Sequence, residues 1–503
     1  MTRSSRAAIL VSLLFFVKAA TLALFVTPLW DVPDEIGHFA YAADLADGRG
    51  VLPPGRAVIP PDLVARWRGG AGGSVPNWTA VHPPGYHVFA AAALAAARLF
   101  TPDFEWQVRL TRLTSAFFGA ATLLLLYRLL VLAGAGGAAA LAGSAGVGFI
   151  PMFSHMASGV SQDTLSAALG AVCAIAWVDL VRRRSLSAGA RLVLAIAAAG
   201  AVKATIAPAA IVLMALLPAY LPGRAAARLF AAAGLSLVAF STTALWWLRL
   251  GRLPTPPAGP PGSRRHGAAA FFEVFRSSPV ADHTLKNFFG LIGWTGGGDG
   301  VVRWFQISGV FLAVPLALVL LLVVLTASWV ARRDFPAGMP ARRSGIAGWA
   351  LAGAVFLVAF GWLVSRPSVH PVKLFVESLL FALPFVAVPQ AWRRRTEIEE
   401  VVFSAQLVAL GFMLLYFWNV SRSFLLTGQM RGAHGRYYFA VLGFLLLGFY
   451  LPAADRLRKW PGRNRALAAA VLLLFVNETA FYASRVIPFY RGVALAAAGR
   501  RVK

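Results

Sequence analysis

The sequence predicts an all-α polytopic membrane protein with about 13 transmembrane helices. Hydrophobic residues make up 58% of its 503 residues, and charged residues make up only 13%. A soluble domain carries roughly 25% charged residues, so the composition excludes one. Long apolar segments recur along the whole chain, and many are near the ~20 residues that a helix needs to cross a bilayer.

The net charge of +27 does not indicate a nucleic-acid partner. The Arg residues lie in short connections between apolar segments, where cytoplasmic retention and anionic lipids explain them. We therefore expect membrane lipids among the partners and no nucleic acid. Cys173 is the single cysteine, which excludes a disulfide framework. The Ala-, Gly- and Arg-rich composition suggests a bacterial origin, so the expected location is the bacterial cytoplasmic (inner) membrane.

The first apolar segment, Ala7 to Leu29, is long enough to span and lacks a convincing cleavage site, so we expect an uncleaved anchor. Arg3 and Arg6 precede it and predict a cytoplasmic N-terminus. The chain then divides into a transmembrane module over 1–250, a second outer loop over 251–302 and a variable C-terminal transmembrane module over 303–503. The first module includes a long first outer loop, 30–108, and loops of this length are commonly functional.

Within this loop the apolar segment 84–100 is short, and we interpret it as a helix lying on the membrane. The next spans are then predicted near 112–132, 134–152 and 163–181. The third of these ends on Arg182-Arg183-Arg184, which this count places in the cytoplasm as the positive-inside rule requires.

The apolar stretch from Leu192 to Leu221 is too long for one ordinary span and is interrupted by Lys203. We expect a tight hairpin of two short spans with Lys203 at the outer turn. Further spans are predicted near 229–250, 304–330, 345–365, 371–391, 401–418, 437–453 and 466–484.

Three of the 20 acidic residues, Asp31, Asp34 and Glu35, cluster directly after the first span. Carboxylates beside a bilayer are costly, so their presence suggests a function. Pro33 favours the first turn of a helix, which would place Asp34 and His38 on one face. A capped surface helix would explain the same pattern.

Other polar residues are predicted on the same outer side: His82, Asp163, Lys203, Arg431, His434 and Arg436. Each has an ordinary explanation, as a turn, a helix cap, a snorkelling side chain or a lipid-headgroup contact. Their shared side, in a chain so poor in polar residues, is the stronger observation. Carboxylates can accept a proton from a hydroxyl group, and basic side chains can bind a phosphate leaving group. An outward-facing enzyme that transfers a sugar cannot use nucleotide sugars, because these are cytoplasmic. Such an enzyme needs a lipid-linked sugar donor.

These elements resemble the GT-C type polyprenyl-phosphate-dependent glycosyltransferases, which include protein O-mannosyltransferases and the aminoarabinose transferase of lipid A. The resemblance is carried by Asp34-Glu35, His82-Pro83-Pro84, Asp163 and Lys203 in this order. It also extends to a bacterial membrane family of unknown function, through Asp34 to His38, Phe288 to Trp294 and Gly435-Arg436-Tyr437. Tyr438-Phe439-Ala440 follows the last element where that family has an early Pro.

The resemblance implies transfer of a sugar from a polyprenyl-phosphate donor to an extracytoplasmic glycan, lipid or protein, with inversion. Asp34 would be the general base, and Glu35 or Asp163 would be a second acid. The donor phosphate would contact Lys203, Arg431 and Arg436, with His434 assisting. His38, His82 and Asp163 would orient the acceptor or donor.

Several alternatives stay open at this point. A transporter or flippase of lipid-linked glycans would also place charges in a helical bundle, although transporters often have repeated halves with midplane charges. A glycan polymerase or ligase would more naturally centre on a large late loop. A divalent metal ion is possible, because Glu35 and His38 are three residues apart, but two ligands do not define a site.

Overall fold

The computed structural model describes residues 2–68, 73–221, 280–292, 305–307, 309–331, 396–427 and 434–492. These residues are almost entirely helical. The exceptions are two short antiparallel strand pairs, β1 (Val58–Ile59) with β2 (Val75–Pro76) and β3 (Leu291–Ile292) with β4 (Phe305–Gln306).

Seven helices in the described part of the chain are long and apolar enough to cross a membrane, or eight if one bent pair counts as a span. The seven are Arg3–Val26, Phe104–Leu132, Asp163–Arg183, Val310–Trp329, Glu397–Ser421, Gly435–Arg456 and Arg463–Gly492. The prediction of an all-α polytopic membrane protein is therefore confirmed. The total of about 13 is not, and the predicted spans at 229–250, 345–365 and 371–391 lie outside the described residues.

The first module is built from apolar helices packed side by side. Helix α1 (Arg3–Thr21) begins after Thr2, whose hydroxyl accepts the Ser5 N–H and so satisfies a free helix donor. It continues as a π-helical turn over Leu22–Val26.

The segment between Val26 and α6, which includes the predicted first outer loop, contains four helices and a 3₁₀ turn: α2 (Glu35–Ala46), α3 (Pro61–Arg68), the turn Trp78–Val81, α4 (Gly85–Phe100) and α5 (Phe104–Thr111). Helix α4 packs against α2 and α5, and it buries Tyr86 and Leu94 while Leu99 and Phe100 stay exposed. Its 16 residues are fewer than a span needs, which agrees with its interpretation as a helix that does not cross.

The bundle continues with α6 (Leu113–Leu132), α7 (Gly137–Gly148), α8 (Pro151–Ala157) and α9 (Asp163–Arg183). Helix α6 packs against α1 and α9. The predicted span at 134–152 is not one straight helix, because α7 and α8 are bent by 68° where Pro151 begins a new helix; the pair is either a broken span or a re-entrant loop. Pro at the first helical position suits a restart, because its missing N–H has no partner there in any helix.

The predicted hairpin around Lys203 is present as two short apolar helical segments. Helix α10 (Leu186–Gly200) ends just before Lys203, and the chain turns into a 3₁₀ segment (Ala204–Ile206), α11 (Ala207–Leu216) and a final 3₁₀ turn (Leu217–Tyr220). A Cβ at Gly189 would lie 3.2 Å from Leu221 Cδ2, so the end of the second segment returns to the start of the first.

The described C-terminal elements are α12 (Val280–Gly290), α13 (Val310–Ala331), α14 (Glu397–Thr427), a 3₁₀ helix (Gly435–Val441), α15 (Leu442–Leu445), a π-helical turn (Leu446–Tyr450), α16 (Leu451–Arg456), α17 (Arg463–Phe481) and a last π-helical turn (Tyr482–Val486). The 3₁₀ helix Gly435–Val441 packs against both α9 and α12. This contact brings the late Gly-Arg-Tyr element of the sequence to the head of α9.

Candidate active site

Asp34 lies immediately before α2 and not in its first turn, which corrects the sequence interpretation. Its backbone is left-handed, with φ of 65°, and its side chain does not cap the helix. Asp is one of the few residues other than Gly that adopt this conformation readily. The carboxylate is therefore free to make contacts elsewhere.

Four charged side chains from separate segments form a buried cluster, which we call the charge cluster: Asp34, Asp163, Lys203 and Arg436. Arg436 Nη2 donates to Asp34 Oδ2 at 2.7 Å, and its Nε lies 3.5 Å from Asp163 Oδ2. Asp163 also forms an ion pair with Lys203. The cluster thus alternates acid and base from Asp34 to Lys203, with two charges of each sign.

Asp34 is the accessible member of this cluster. Its side chain is 27% exposed, whereas that of Arg436 is 3% exposed. Lys203 and Asp163 are buried as well. A molecule that approaches from outside the protein therefore meets the Asp34 carboxylate first.

Arg436 is positioned by close packing of its backbone. Gly435 has no side chain at a point where a Cβ would lie 2.0 Å from the Thr284 carbonyl oxygen, so only glycine permits this approach to α12. Asn287 Oδ1 then accepts the backbone N–H of Arg436 at 3.2 Å. The guanidinium Nε has no hydrogen-bond partner among the described residues.

Lys203 is positioned by the turn after α10 and by an aromatic ring. Its ammonium lies 4.7 Å from the ring centroid of Tyr437, the residue after Arg436. The His82-Pro83-Pro84 segment lies against the same turn, because the Gly85 N–H donates to the Ala201 carbonyl at 3.1 Å. His82 Nδ1 is buried without a hydrogen-bond partner in the described part of the chain.

Trp78 holds the second oxygen of the Asp34 carboxylate. Its indole Nε1 donates to Asp34 Oδ1 at 2.9 Å. The turn before it is fixed to α2, because Asn77 Nδ2 donates to the Gly37 carbonyl at 3.0 Å and Asn77 Oδ1 accepts the Thr79 N–H at 3.0 Å. A Cβ at Gly37 would lie 2.6 Å from Thr79 Cγ2, so glycine is required there.

The surroundings of Asp34 favour its ionised form. Burial raises the pKa of Asp34, but the opposing effects of Arg436, His38, His434 and the Trp78 hydrogen bond together bring that pKa below its ordinary value. Asp34 is therefore a carboxylate throughout the physiological pH range.

Three nearby histidines, His38, His82 and His87, have pKa values below the ordinary value for histidine. Burial, followed by the neighbouring His87 and His82, lowers the pKa of His38 well below its ordinary value. Burial and Lys203 lower the pKa of His82 to about 3. His38 Nδ1 and His87 Nε2 are 3.0 Å apart and form a hydrogen bond in which one ring donates and the other accepts.

Glu35 occupies a different environment. Arg112 donates to both of its oxygens, from Nε to Oε1 at 2.7 Å and from Nη2 to Oε2 at 2.8 Å. The backbone N–H groups of Trp30 and Val160 complete the set at 2.8 and 3.0 Å. Because neither side chain is exposed, we do not assign Glu35 a part in catalysis.

Of the other residues predicted for the site, His434 directly precedes the 3₁₀ helix that contains Arg436, and its ring centroid lies 5.4 Å from that of Tyr437. Arg431 lies outside the described residues, as do Trp294 and the glycine-rich segment 295–300. In the described part of the chain, no three His, Cys, Asp or Glu side chains are grouped as metal ligands. The possible divalent ion stays a prediction.

Sequence reasoning missed Trp78 and Arg112, and it named Tyr437 only as part of the Gly-Arg-Tyr element. Arg112 had a usable signal, since an arginine at the head of an apolar span needs a partner and the chain has few acids. Trp78 carried none, because aromatic residues are common at membrane interfaces.

Neither a protein-family model nor a curated protein sequence matches this chain. The fold and the site define an all-α membrane protein in which an accessible carboxylate lies at the edge of a buried charge cluster.

Proposed function

We propose that the chain is a glycosyltransferase that moves a sugar from a polyprenyl-phosphate donor to an extracytoplasmic acceptor with inversion. The observation that carries the proposal is the charge cluster. It joins the first outer loop, the head of α9, the Lys203 turn and the Gly-Arg-Tyr element. Four charges from distant segments, three of them buried, are more typical of a functional site than of a structural contact.

In this proposal Asp34 is the general base. It is ionised, it is exposed on one side, and Trp78 and Arg436 each hold one of its oxygens. A carboxylate oxygen accepts more than one hydrogen bond, so either oxygen of Asp34 can still accept a hydrogen bond from a hydroxyl group of the acceptor substrate. As the hydroxyl oxygen forms a bond to the anomeric carbon, its proton passes to Asp34.

Arg436 and Lys203 would bind the phosphate. The bond between the anomeric carbon and the phosphate oxygen breaks, and polyprenyl phosphate leaves with the electron pair. Its negative charge needs donors that are already in place. Arg436 Nε and His82 Nδ1 are buried and have no hydrogen-bond partner among the described residues, although Arg436 Nε also lies 3.5 Å from Asp163 Oδ2. The polyprenyl chain would remain in the bilayer.

The test uses purified protein in detergent, radiolabelled polyprenyl-phosphate sugars and a bacterial envelope extract as acceptor. Asp34→Asn should reduce transfer by about 10²–10⁴-fold, the usual contribution of a positioned general base. Asn also tolerates the left-handed backbone, so the fold should be kept. Asp44→Asn is the matched control, because Asp44 lies in α2 and pairs with Arg49 away from the cluster.

The same protein in sealed vesicles separates transfer from transport. Full transfer by Asp34→Asn would contradict the assignment. Movement of a lipid-linked sugar across the vesicle membrane, without transfer from any donor, would favour the flippase.

A further inference from the structure

The accessible rim of the charge cluster includes the Asp34 carboxylate and the ring of Trp78, among the described residues. Trp78 is 39% exposed, although its indole N–H is held by Asp34. The ring of Trp67 lies 5.9 Å from that of Trp78 and supports it from α3. An indole that is fixed at its nitrogen, supported by a second ring and open to solvent presents a firm apolar surface beside the base.

The position of this surface is defined by the backbone and is not left to a mobile loop. Asn77 ties the Trp78 turn to the Gly37 carbonyl, and Gly37 allows the turn to approach α2 closely. The same helix starts directly after Asp34. The base and the ring therefore keep a fixed mutual geometry.

We propose that the acceptor is a carbohydrate, with a sugar ring resting on Trp78 and one of its hydroxyl groups donating to Asp34. Trp78 is then both the acceptor platform and a positioning residue for the base. This inference rests on the proposed function and names its acceptor class.

The chemistry of a sugar ring fits both components of the rim. One face of a pyranose presents C–H groups, which pack on an aromatic surface, while its edge carries hydroxyl groups that need acceptors. Asp34 supplies an ionised acceptor at that edge, and a hydrogen bond to an ionised group is stronger than a neutral one. A Ser or Thr side chain would use Asp34 but would leave the indole surface uncovered.

The donor sugar is assigned elsewhere by the same geometry. Its phosphate would contact Arg436 Nε and His82 Nδ1, two buried atoms that have no hydrogen-bond partner among the described residues. The exposed side, with Trp78, is then left for the acceptor. The acceptor hydroxyl and the leaving phosphate would then lie on opposite faces of the anomeric carbon, as an inverting displacement requires.

The experiment measures transfer by the full-length protein to two kinds of acceptor, a panel of methyl glycopyranosides and a Ser/Thr-containing peptide. Three variants are compared with the wild type. Trp78→Phe keeps a ring but loses the N–H, Trp78→Ala loses both, and Trp106→Ala is the matched control. Trp106 is 42% exposed and contacts Phe25 instead of the cluster.

Trp78→Phe should lower kcat about 10-fold and leave KM for the glycoside nearly unchanged, because only the hydrogen bond to Asp34 is lost. As the pH is lowered, the variant should also lose activity at a higher pH than the wild type does. The Trp78 hydrogen bond lowers the pKa of Asp34, while Arg436, His38 and His434 still face that carboxylate in the variant. Trp78→Ala should in addition raise KM for the glycoside about 10-fold, the scale of one aromatic contact.

A wild-type KM for the glycoside in Trp78→Ala would overturn the inference. An equal loss of transfer in Trp106→Ala would also overturn it, because a ring that only anchors the protein at the interface gives that result. Transfer to the peptide and to no glycoside would overturn it while leaving the proposed function intact. Failure of the wild type to transfer to any acceptor would instead overturn the proposed function, and this inference with it.

Discussion

Asp34 and Glu35 are adjacent acids with opposite surroundings. Glu35 is enclosed, with four donors on its two oxygens and an arginine that is itself held by the carbonyls of Ala23, Thr27 and Pro28. Asp34 is bound by two donors and is open on one side. The helix begins at Glu35, and the left-handed backbone of Asp34 separates its carboxylate from the Glu35–Arg112 pair. One acid fixes the loop to the bundle, and its neighbour is available for chemistry.

The largest expected effect is on stability, at Glu35. Glu35→Gln leaves the Arg112 guanidinium buried without a countercharge, which costs about 3–5 kcal/mol. We expect the midpoint of thermal unfolding in detergent, followed by size-exclusion chromatography after heating, to fall much further than for Asp34→Asn.

The double variant Glu35→Leu with Arg112→Met serves as the control, because it removes both charges and should recover part of the loss. A Glu35→Gln protein with the wild-type midpoint but no transfer would make Glu35 a catalytic residue and abolish the contrast.

The next effect is on activity and pH dependence, at Arg436. Arg436→Gln removes a donor that would bind the departing phosphate, so transfer should fall about 10²–10³-fold. Without Arg436, only His38, His434 and Trp78 still oppose the effect of burial, so the pKa of Asp34 rises. A general base must be unprotonated. As the pH is lowered, the residual activity should therefore disappear at a higher pH than in the wild type.

The pH profile of the wild type supplies the reference. Because the pKa of Asp34 is below its ordinary value and that of His82 is about 3, neither group should limit activity between about pH 5 and 8. An unchanged acid limb in Arg436→Gln would show that Arg436 does not set the charge of the base.

A smaller effect is expected at Gly37. In Gly37→Ala the new methyl group would meet Thr79, and the Asn77–Trp78 turn must shift away from α2. Overpacking of this kind costs about 1–3 kcal/mol, and a displaced Trp78 should lower transfer about 10-fold. Gly55→Ala, at a glycine with open space around it, is the control and should change neither quantity. Equal activity in the two variants would argue that the turn has no part in positioning Asp34.

Much of the architecture could be predicted from the sequence, since apolar length alone identifies spans. The site was predictable in part: Asp34, Asp163, Lys203 and Arg436 could be grouped because charges are rare in such a chain. Their pairing could not be, because it depends on contacts such as Gly435 against α12 that are far apart in sequence. The same limit explains Glu35. Spacing makes it look like a partner of Asp34, and only the fold brings Arg112 to it.

The smallest effect is expected at the ion pair between Lys18 and Glu478, which lies in two candidate membrane spans and tests the transport alternative. Lys18 Nζ donates to Glu478 Oε2 at 2.7 Å, to Ser154 Oγ at 2.9 Å and to the Gly148 carbonyl at 2.6 Å. It thereby joins α1 and α17 at the bend between α7 and α8. An intramembrane charge in a transporter belongs to the pathway, whereas here each donor has a fixed protein partner.

We therefore expect Lys18→Met with Glu478→Gln to retain transfer within about 3-fold, because removing both charges together avoids an unpaired buried ion. Glu478→Gln alone should be the less stable protein, and comparing it with the double variant shows whether the charge or the packing matters. Loss of activity in a double variant that remains folded would connect the membrane pair to function. The charge cluster at Asp34 would then be one end of a longer polar path, as transport requires and sugar transfer does not.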